Sequence, residues 1–288
     1  VEAKAADVTF LVRPGRKALL DRDGLRIESQ FGNASLKVNA VLEPAGGYDL
    51  VLLTCKAYDL DNAIDAVRSV VGTATQVLPL LNGLKHLDAL DTSFGMDRVL
   101  GGSCHLSVAL DQDGTVRHLN QLHLLTYGPR TQKQSEFCEA LHLILSRAGF
   151  DTKLSPNVIQ SMWDKWVLLA SLAALTCLFR ASIGEIAAVK DGRELMLAAI
   201  AECRHVAAAA GFEPAPDHIP LIRTLLTDTA SPIVASMFRD MQRGGRIEGD
   251  HIVGDILARG KAAGLGMPVL ATAYANLQCY QNRLNPCG

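Results

Sequence analysis

The 288-residue chain has almost no net charge: 28 lysines and arginines stand against 30 aspartates and glutamates, a formal balance of −2. Nothing therefore draws it to nucleic acid or to an anionic membrane surface. No basic amphipathic helix and no low-complexity tract appears either. The seven cysteines (Cys55, Cys104, Cys138, Cys177, Cys203, Cys279 and Cys287) never fall in a C-x-x-C pair. An odd, scattered set argues against a disulfide framework and a zinc site and fits a reducing cytosol, with Cys279 and Cys287 the one pairing to consider. The eight histidines lack H-E-x-x-H or comparable ligand spacing, so no metal is expected. The opening "VEAKAADVTFLV" shows neither a basic segment nor an apolar core of the kind that marks a secretory signal. Long apolar runs are missing as well: Trp166 to Phe179 falls short of the roughly 20 residues that a bilayer requires. It reads as a helix buried nearly all round in a globular, cytoplasmic protein with no membrane partner.

What is present is an ordinary globular composition, 49% hydrophobic and 20% charged, on a chain long enough for two domains. From Asp7 to about Leu154, short β-rich runs alternate with helical patterns. "DVTFLV" reads as a strand, and "GLRIES" with "LKVNAV" as a second pair; "YDLVLLTC" and "TQVLPLL" are continuous apolar runs of the buried, parallel-sheet kind. Helical spacing covers Asp59 to Val71 and Leu84 to about Phe94. "VLGGSCHLSVAL", bent by its glycine pair, then "VRHL" and "LHLLTYG" read as further strands. The order predicts a doubly wound parallel sheet with an antiparallel addition over residues 1–155. Beyond Pro156 only helical patterns remain, broken at "AGFEPAPDH" and "TDTASP". Residues 156–288 are therefore expected to form an all-helical domain, with a ligand cleft between the two.

In open α/β sheets ligands lie beyond the carboxyl ends of the strands. Lys56 follows one buried run in "LLTCKAYD", and Asn82 and Gly83 follow the next in "LPLLNGL". After the first strand, "LVRPGRK" supplies Arg13, Arg16 and Lys17 with no carboxylate before Asp21. An acidic residue there would take a ribose 2′-hydroxyl, whereas arginine accommodates a 2′-phosphate, so NADP is favoured over NAD if a dinucleotide binds. A solvated charged loop is the plainer alternative. The G-x-G-x-x-G turn that would hold a pyrophosphate is not found; Gly264-Leu-Gly266 reads as a turn between helices. Because the opening reads as a helix tail entering a second strand, the place for that turn lies upstream of Val1. In the helical half, "SMWDKW" puts Lys165 at the head of the apolar run and "GGRIEGDHIVGD" puts Glu248 near a helix start. Lys165 is either a general acid or a lysine snorkelling over the tryptophans. Glu248 is either a site residue or a charge at a helix N-terminus worth about 0.3–1 kcal/mol.

In this order, "DVTFLVR", "DLVLLTCKAYDL", "VLPLLNGL", "KW…LT" and "ASMFRDMQRGGRIEGDHIVG" resemble the ketopantoate reductases (2-dehydropantoate 2-reductases), with the last stretch the most specific. The resemblance runs from about Ala6 to Ala275. It implies an N-terminally truncated Rossmann-like domain, lacking its first strand and glycine-rich turn, followed by a helical domain like that of 6-phosphogluconate dehydrogenase. It further implies NADPH-dependent reduction of a 2-oxo acid to a 2-hydroxy acid. Lys165 would be the general acid, and Glu248 would hold the hydroxyl side of the substrate and touch the cofactor. Asn82 would sit between substrate and nicotinamide, and Ser236 would bind the carboxylate. Lys56 and Ser107 would line NADP(H), and Arg13 would meet its 2′-phosphate. A homodimer is a candidate assembly, with the oligomeric state not read from the sequence.

The family's helix usually offers two asparagines, one and two turns after the lysine; here those positions are Leu169 and Ala173. Apolar side chains cannot donate to a hydroxyl or carboxylate, so a more apolar 2-oxo acid than 2-dehydropantoate is expected. The alternative is a non-catalytic homologue that binds a small molecule or dimerises through its helical domain.

Overall fold

The computed structural model describes residues 6–284. Cys287, and with it the pairing considered for Cys279, lies outside them, as do Val1 to Ala5 of the stretch read as a helix tail. The six described cysteines form no disulfide with one another. The chain divides into two compact units: Val1–Thr54, Asp61–Leu80 and Leu90–Val158 in the first, and Cys55–Leu60, Leu81–Ala89 and Ile159–Gly288 in the second.

The α/β part runs β1 (Thr9–Leu11), α1 (Pro14–Asp23), β2 (Leu25–Glu28), β3 (Ala34–Leu36), β4 (Asn39–Val41), β5 (Leu50–Leu53) and α2 (Leu60–Val67). It continues with β6 (Gln76–Pro79), α3 (Lys85–Phe94), β7 (Gly101–Leu110), β8 (Val116–Gly128), α4 (Ser135–Leu145) and β9 (Asp151–Leu154). Strands β1 and β4 pair in parallel, as do β5 and β6. A parallel bridge from Val77 to Val99 and a hydrogen bond from the Leu100 N–H to the Val77 carbonyl at 2.9 Å lead from β6 into β7. Strands β7 and β8 form a long antiparallel pair, and the other edge of β8 takes β2 at one end and β9 at the other, both parallel. The sheet is thus mixed.

Several elements depart from the sequence reading for identifiable reasons. "GLRIES" and "LKVNAV" do not pair with each other: β2 turns back on β3, and β4 lies against β1. "VRHL" and "LHLLTYG" are one 13-residue strand, β8; Asn120 and Gln121 between them lie where the ladder steps from His123 opposite Leu106 to His118 opposite Val108. Asn120 Oδ1 accepts the Ser107 N–H at 3.1 Å, where a bulge shifts the β7–β8 register between Leu106 and Val108. The "RPG" after β1 opens α1 instead of a loop. Pro14 stands in its first turn, where the missing N–H has no intrahelical partner to lose.

The glycine pair of β7 is set by packing. A Cβ on Gly101 would fall 2.4 Å from Val158 Cγ1, and one on Gly102 2.4 Å from Leu78 Cδ1. Those contacts border a core of Leu78, Leu100, Leu125, Tyr127, Cys138 and Leu141, between the sheet and α4. Burial there pushes the Cys138 thiol up to about 11, which leaves it an inert core residue.

The second unit is helical: α5 (Val158–Phe179), α6 (Ile183–Ala188), α7 (Gly192–Ala209), α8 (His218–Leu226), α9 (Ser236–Gln242), α10 (Asp255–Ala262) and α11 (Pro268–Leu284). By length and composition α5 could cross a membrane, yet 72% of its most apolar stretch is buried inside the protein. It is a core helix that begins several residues before the apolar run. Two of its buried hydroxyls are satisfied within the helix, Ser171 donating to the Val167 carbonyl and Thr176 to that of Leu172, each at 2.8 Å. Glu202 of α7, nearly buried, caps α11 by accepting the N–H groups of Val269 at 3.0 Å and Leu270 at 2.9 Å. A carboxylate on the orphan donors of a helix start is doubly favoured, by the hydrogen bonds and by the helix dipole. The Gly264–Gly266 segment joins α10 to α11, with Gly264 at φ +72°.

Candidate active site

Beyond β5 the chain turns at Lys56, which caps a single turn of 3-10 helix, Ala57–Asp59. The Lys56 ammonium lies 2.9 Å from Asp240 Oδ2 and 3.4 Å from Glu248 Oε2. The other Glu248 oxygen, Oε1, accepts the Ala57 N–H at 3.0 Å. Glu248 is only 7% exposed, and a buried carboxylate is tolerated because both oxygens have partners. Burial works to lower the Lys56 pKa, but Glu248 and Asp240 together outweigh it and hold the ammonium above its ordinary value. The Arg246 guanidinium sits 4.2 Å above the Tyr58 ring and 3.7 Å from Asp59. The turn after β5 is therefore held from three sides by residues of α9 and the segment after it.

The loop after β6 carries Asn82, half-buried, and Gly83. Gly83 adopts φ +77°, and a Cβ there would stand 3.1 Å from the His251 carbonyl oxygen and 3.6 Å from Trp166 Nε1. Left-handed backbone and close approach both require glycine. Glu248 leads into a widened π-helical turn, Asp250–Gly254, and its own carbonyl accepts the N–H groups of His251 at 3.1 Å and Ile252 at 3.0 Å. The Ile252 carbonyl in turn accepts the Trp166 indole N–H at 3.0 Å. Such π turns recur at functional sites.

On α5, Lys165 is 8% exposed and stands between Trp163 and Trp166, which are 2% and 1% exposed. The two indoles lie 4.9 Å apart at 39°. The cation over their faces is Arg259, 5.9 Å from the Trp163 ring and 5.6 Å from that of Trp166. Arg259 is itself paired with Asp255 at 3.0 Å and Asp88 at 3.8 Å. Leu169 and Ala173 follow Lys165 on the same helical face by the 3.6-residue repeat; Ala173 is buried and Leu169 partly so. Further along this face the Thr176 hydroxyl accepts the Ala235 N–H at 3.3 Å. Ala235 precedes Ser236, which opens α9 and is exposed.

Lys56, Asn82, Lys165, Ser236 and Glu248 all belong to the second unit, whereas Arg13 and Ser107 belong to the first. Arg13 is the exposed N-cap of α1. Of its two cationic neighbours, Arg16 donates to the Gly114 carbonyl at 2.7 Å and Lys17 pairs with Asp21 at 2.7 Å. Ser107 sits at the β7 bulge. The sequence reading assigned no role to Asp240, although it stood in the most specific stretch and lies one helical turn after Ser236. Sequence gives Trp166 only as a packing surface for Lys165 and gives His251 and Arg259 no role; the Trp166–Ile252 bond and the Arg259–Trp166 contact join residues far apart in the chain.

Both halves of the chain are similar to known proteins. Residues 1–132 match the family described as Ketopantoate reductase PanE/ApbA, and residues 157–281 match Ketopantoate reductase PanE/ApbA C terminal. An uncharacterised oxidoreductase of Bacillus subtilis (strain 168) is 33% identical over 279 residues, covering 96% of this chain and 92% of its own. A 2-dehydropantoate 2-reductase of Pyrococcus horikoshii is 28% identical over 271 residues, covering 91% of this chain and 86% of its own. Among solved structures, the 2-dehydropantoate 2-reductase of Geobacter metallireducens superposes with a TM-score of 0.88 at 27% identity, over 96% of this chain and 93% of that one. With both halves of the sequence matched, the chain belongs to the ketopantoate reductase family of oxidoreductases.

Proposed function

We propose that the protein reduces a small, apolar 2-oxo acid to the 2-hydroxy acid with NADPH. The observation that carries this reading is the cluster of buried Glu248 with the half-buried Lys56 and the Ala57 N–H, joined by the Trp166 indole to the helix of Lys165 and the loop of Asn82. When bound, the nicotinamide supplies a hydride to the carbonyl carbon. On the protein side, Lys165 gives an ammonium proton to the carbonyl oxygen as negative charge develops there. Asn82 stands beside the ketone, between substrate and cofactor. Ser236 takes the carboxylate. Glu248, fixed through both oxygens, accepts from the hydroxyl. A cytoplasmic location accords with the absence of disulfides among the described cysteines.

Leu169 and Ala173 form the wall beside Lys165 and offer no hydrogen bond to a substituent. A site that merely lacks partners rejects an added hydroxyl by roughly 10²-fold. Straight or branched alkyl 2-oxo acids should therefore equal or exceed 2-dehydropantoate in kcat/KM, as read from NADPH absorbance decay across a substrate panel. A clear preference for 2-dehydropantoate would mean that other residues supply the missing bonds. Failure of the folded protein to turn over any 2-oxo acid would end the reductase reading.

Cofactor choice is assigned to Arg13, with Lys56 and Ser107 as further cofactor contacts. Arg13, directly after β1, is the residue proposed for a 2′-phosphate, since an arginine at the end of that strand accommodates one. Charge-assisted bonds of this kind contribute about 1.5–3 kcal/mol, so Arg13→Ala should weaken NADPH by roughly 10- to 100-fold and leave NADH nearly unchanged. Equal losses for both cofactors, measured by calorimetry, would reduce the arginine to a support of the fold.

A further inference from the structure

We infer that Trp166 is a positioning residue that sets Lys165, Asn82 and Glu248 in register through one indole ring. The inference rests on the reductase reading for what the register serves, and on geometry alone for the register itself. Trp166 follows Lys165 directly on α5 and is 1% exposed. Its N–H donates to the Ile252 carbonyl at 3.0 Å, and the Ile252 N–H donates to the Glu248 carbonyl at 3.0 Å. The Glu248 side chain then receives the Ala57 N–H at 3.0 Å. A single line of hydrogen bonds thus runs from the residue beside Lys165 to the turn that carries Lys56.

The same ring sets the position of Asn82. Gly83 lies so close to the indole and to the His251 carbonyl that a Cβ would meet the latter at 3.1 Å. With φ +77° at Gly83, the loop has little freedom to move without displacing either contact. On its other side the ring meets Trp163 and lies under the Arg259 guanidinium, 5.6 Å from the ring centre. A snorkelling lysine would not need this arrangement. A proton donor does, because a misplacement of about 1 Å can cost about 10²-fold in rate.

Three variants test this: Trp166→Phe, which keeps most of the ring and removes the donor; Gly83→Ala, which strains the left-handed turn and crowds the His251 carbonyl; and Trp163→Phe as the control for loss of an indole. All are compared at temperatures well below their measured melting points, so that each is folded. Trp166→Phe and Gly83→Ala should lower kcat by about 10- to 100-fold, with NADPH affinity within about twofold of wild type. Trp163→Phe should stay within about threefold. Near-normal kcat in Trp166→Phe, or an equal loss in Trp163→Phe, would overturn the inference. Amide hydrogen exchange supplies an arm that needs no turnover. Exchange at Ile252 and Ala57 should quicken at least about tenfold in Trp166→Phe and not in Trp163→Phe, since these amides share the line the indole anchors. Unchanged exchange would overturn the positioning role even in an active enzyme. Quickened exchange in a protein that reduces no 2-oxo acid would support the positioning role and count against the reductase reading alone.

Discussion

In a Lys165→Ala variant, turnover should fall by about 10²–10⁴-fold, the usual cost of removing a general acid, while NADPH affinity stays close to wild type. Reduction of a ketone builds negative charge on oxygen, and a positioned ammonium both stabilises that charge and supplies the proton. Lys165→Arg should rescue poorly. A guanidinium keeps its charge, but with a pKa above about 12 it gives up a proton reluctantly. The competing view makes Lys165 a packing residue for Trp163 and Trp166, yet Arg259 already covers both rings. Under that view both variants keep most of their activity and only the melting temperature drops. Measuring kcat, NADPH affinity and melting temperature for the pair separates the two. Near-normal turnover in Lys165→Ala would end the catalytic assignment.

Acid should unfold the protein through His251. Burial of this imidazole, opposed by Asp255 and Asp250 and reinforced by Lys85, takes its pKa from the ordinary 6.5 down to about 4. Its Nε2 is buried and has no hydrogen-bond partner, and the ring beside it, 5.7 Å away, is another histidine, His86. The unfolded chain therefore takes up a proton at a pH where the folded one resists it. The contribution is complete above about pH 6.5 and is lost as the pH falls toward 4. At 1.36 kcal/mol per unit the loss approaches about 3 kcal/mol. In His251→Phe, which keeps the stacked ring, this dependence should vanish. Urea unfolding between pH 4 and 7 reads it directly: an unchanged slope in the variant would assign the acid sensitivity to carboxylates elsewhere.

The parts of this molecule that were legible in sequence are those whose cause is local. The apolar run of β6 announces a buried strand, whereas that of β5 announces a strand of which only Leu53 is buried and Leu52 is 50% exposed; the ends of both mark Lys56 and Asn82 because a strand must stop where polar residues begin. Gly264 marks a helix end because φ +72° suits little else. Helix α1 was hidden by Pro14 and Gly15, which look like a turn until the orphan donors of a helix start are considered. Helix α4 and strand β9 carry no strong local signal in the sequence. The salt bridge from Lys56 to Asp240 spans 184 positions, and the indole bond from Trp166 to Ile252 spans 86. No window of sequence contains both ends of either contact. Their geometry belongs to the fold.

The two strand-end segments, Cys55–Leu60 and Leu81–Ala89, belong to the helical unit although the chain on either side of each belongs to the α/β unit. This limits how such a gene can recombine. A crossover near residue 156 would carry Lys165, Ser236 and Glu248 from one parent and take Lys56 and Asn82 from the other. The transplanted Glu248 would then meet a foreign turn, and its carboxylate would depend on whether that turn still presents an ammonium and an N–H. Chimeras joined at this apparent border should succeed only between parents that share both strand-end loops. Exchanges that move the loops together with the helices should tolerate much more distant parents.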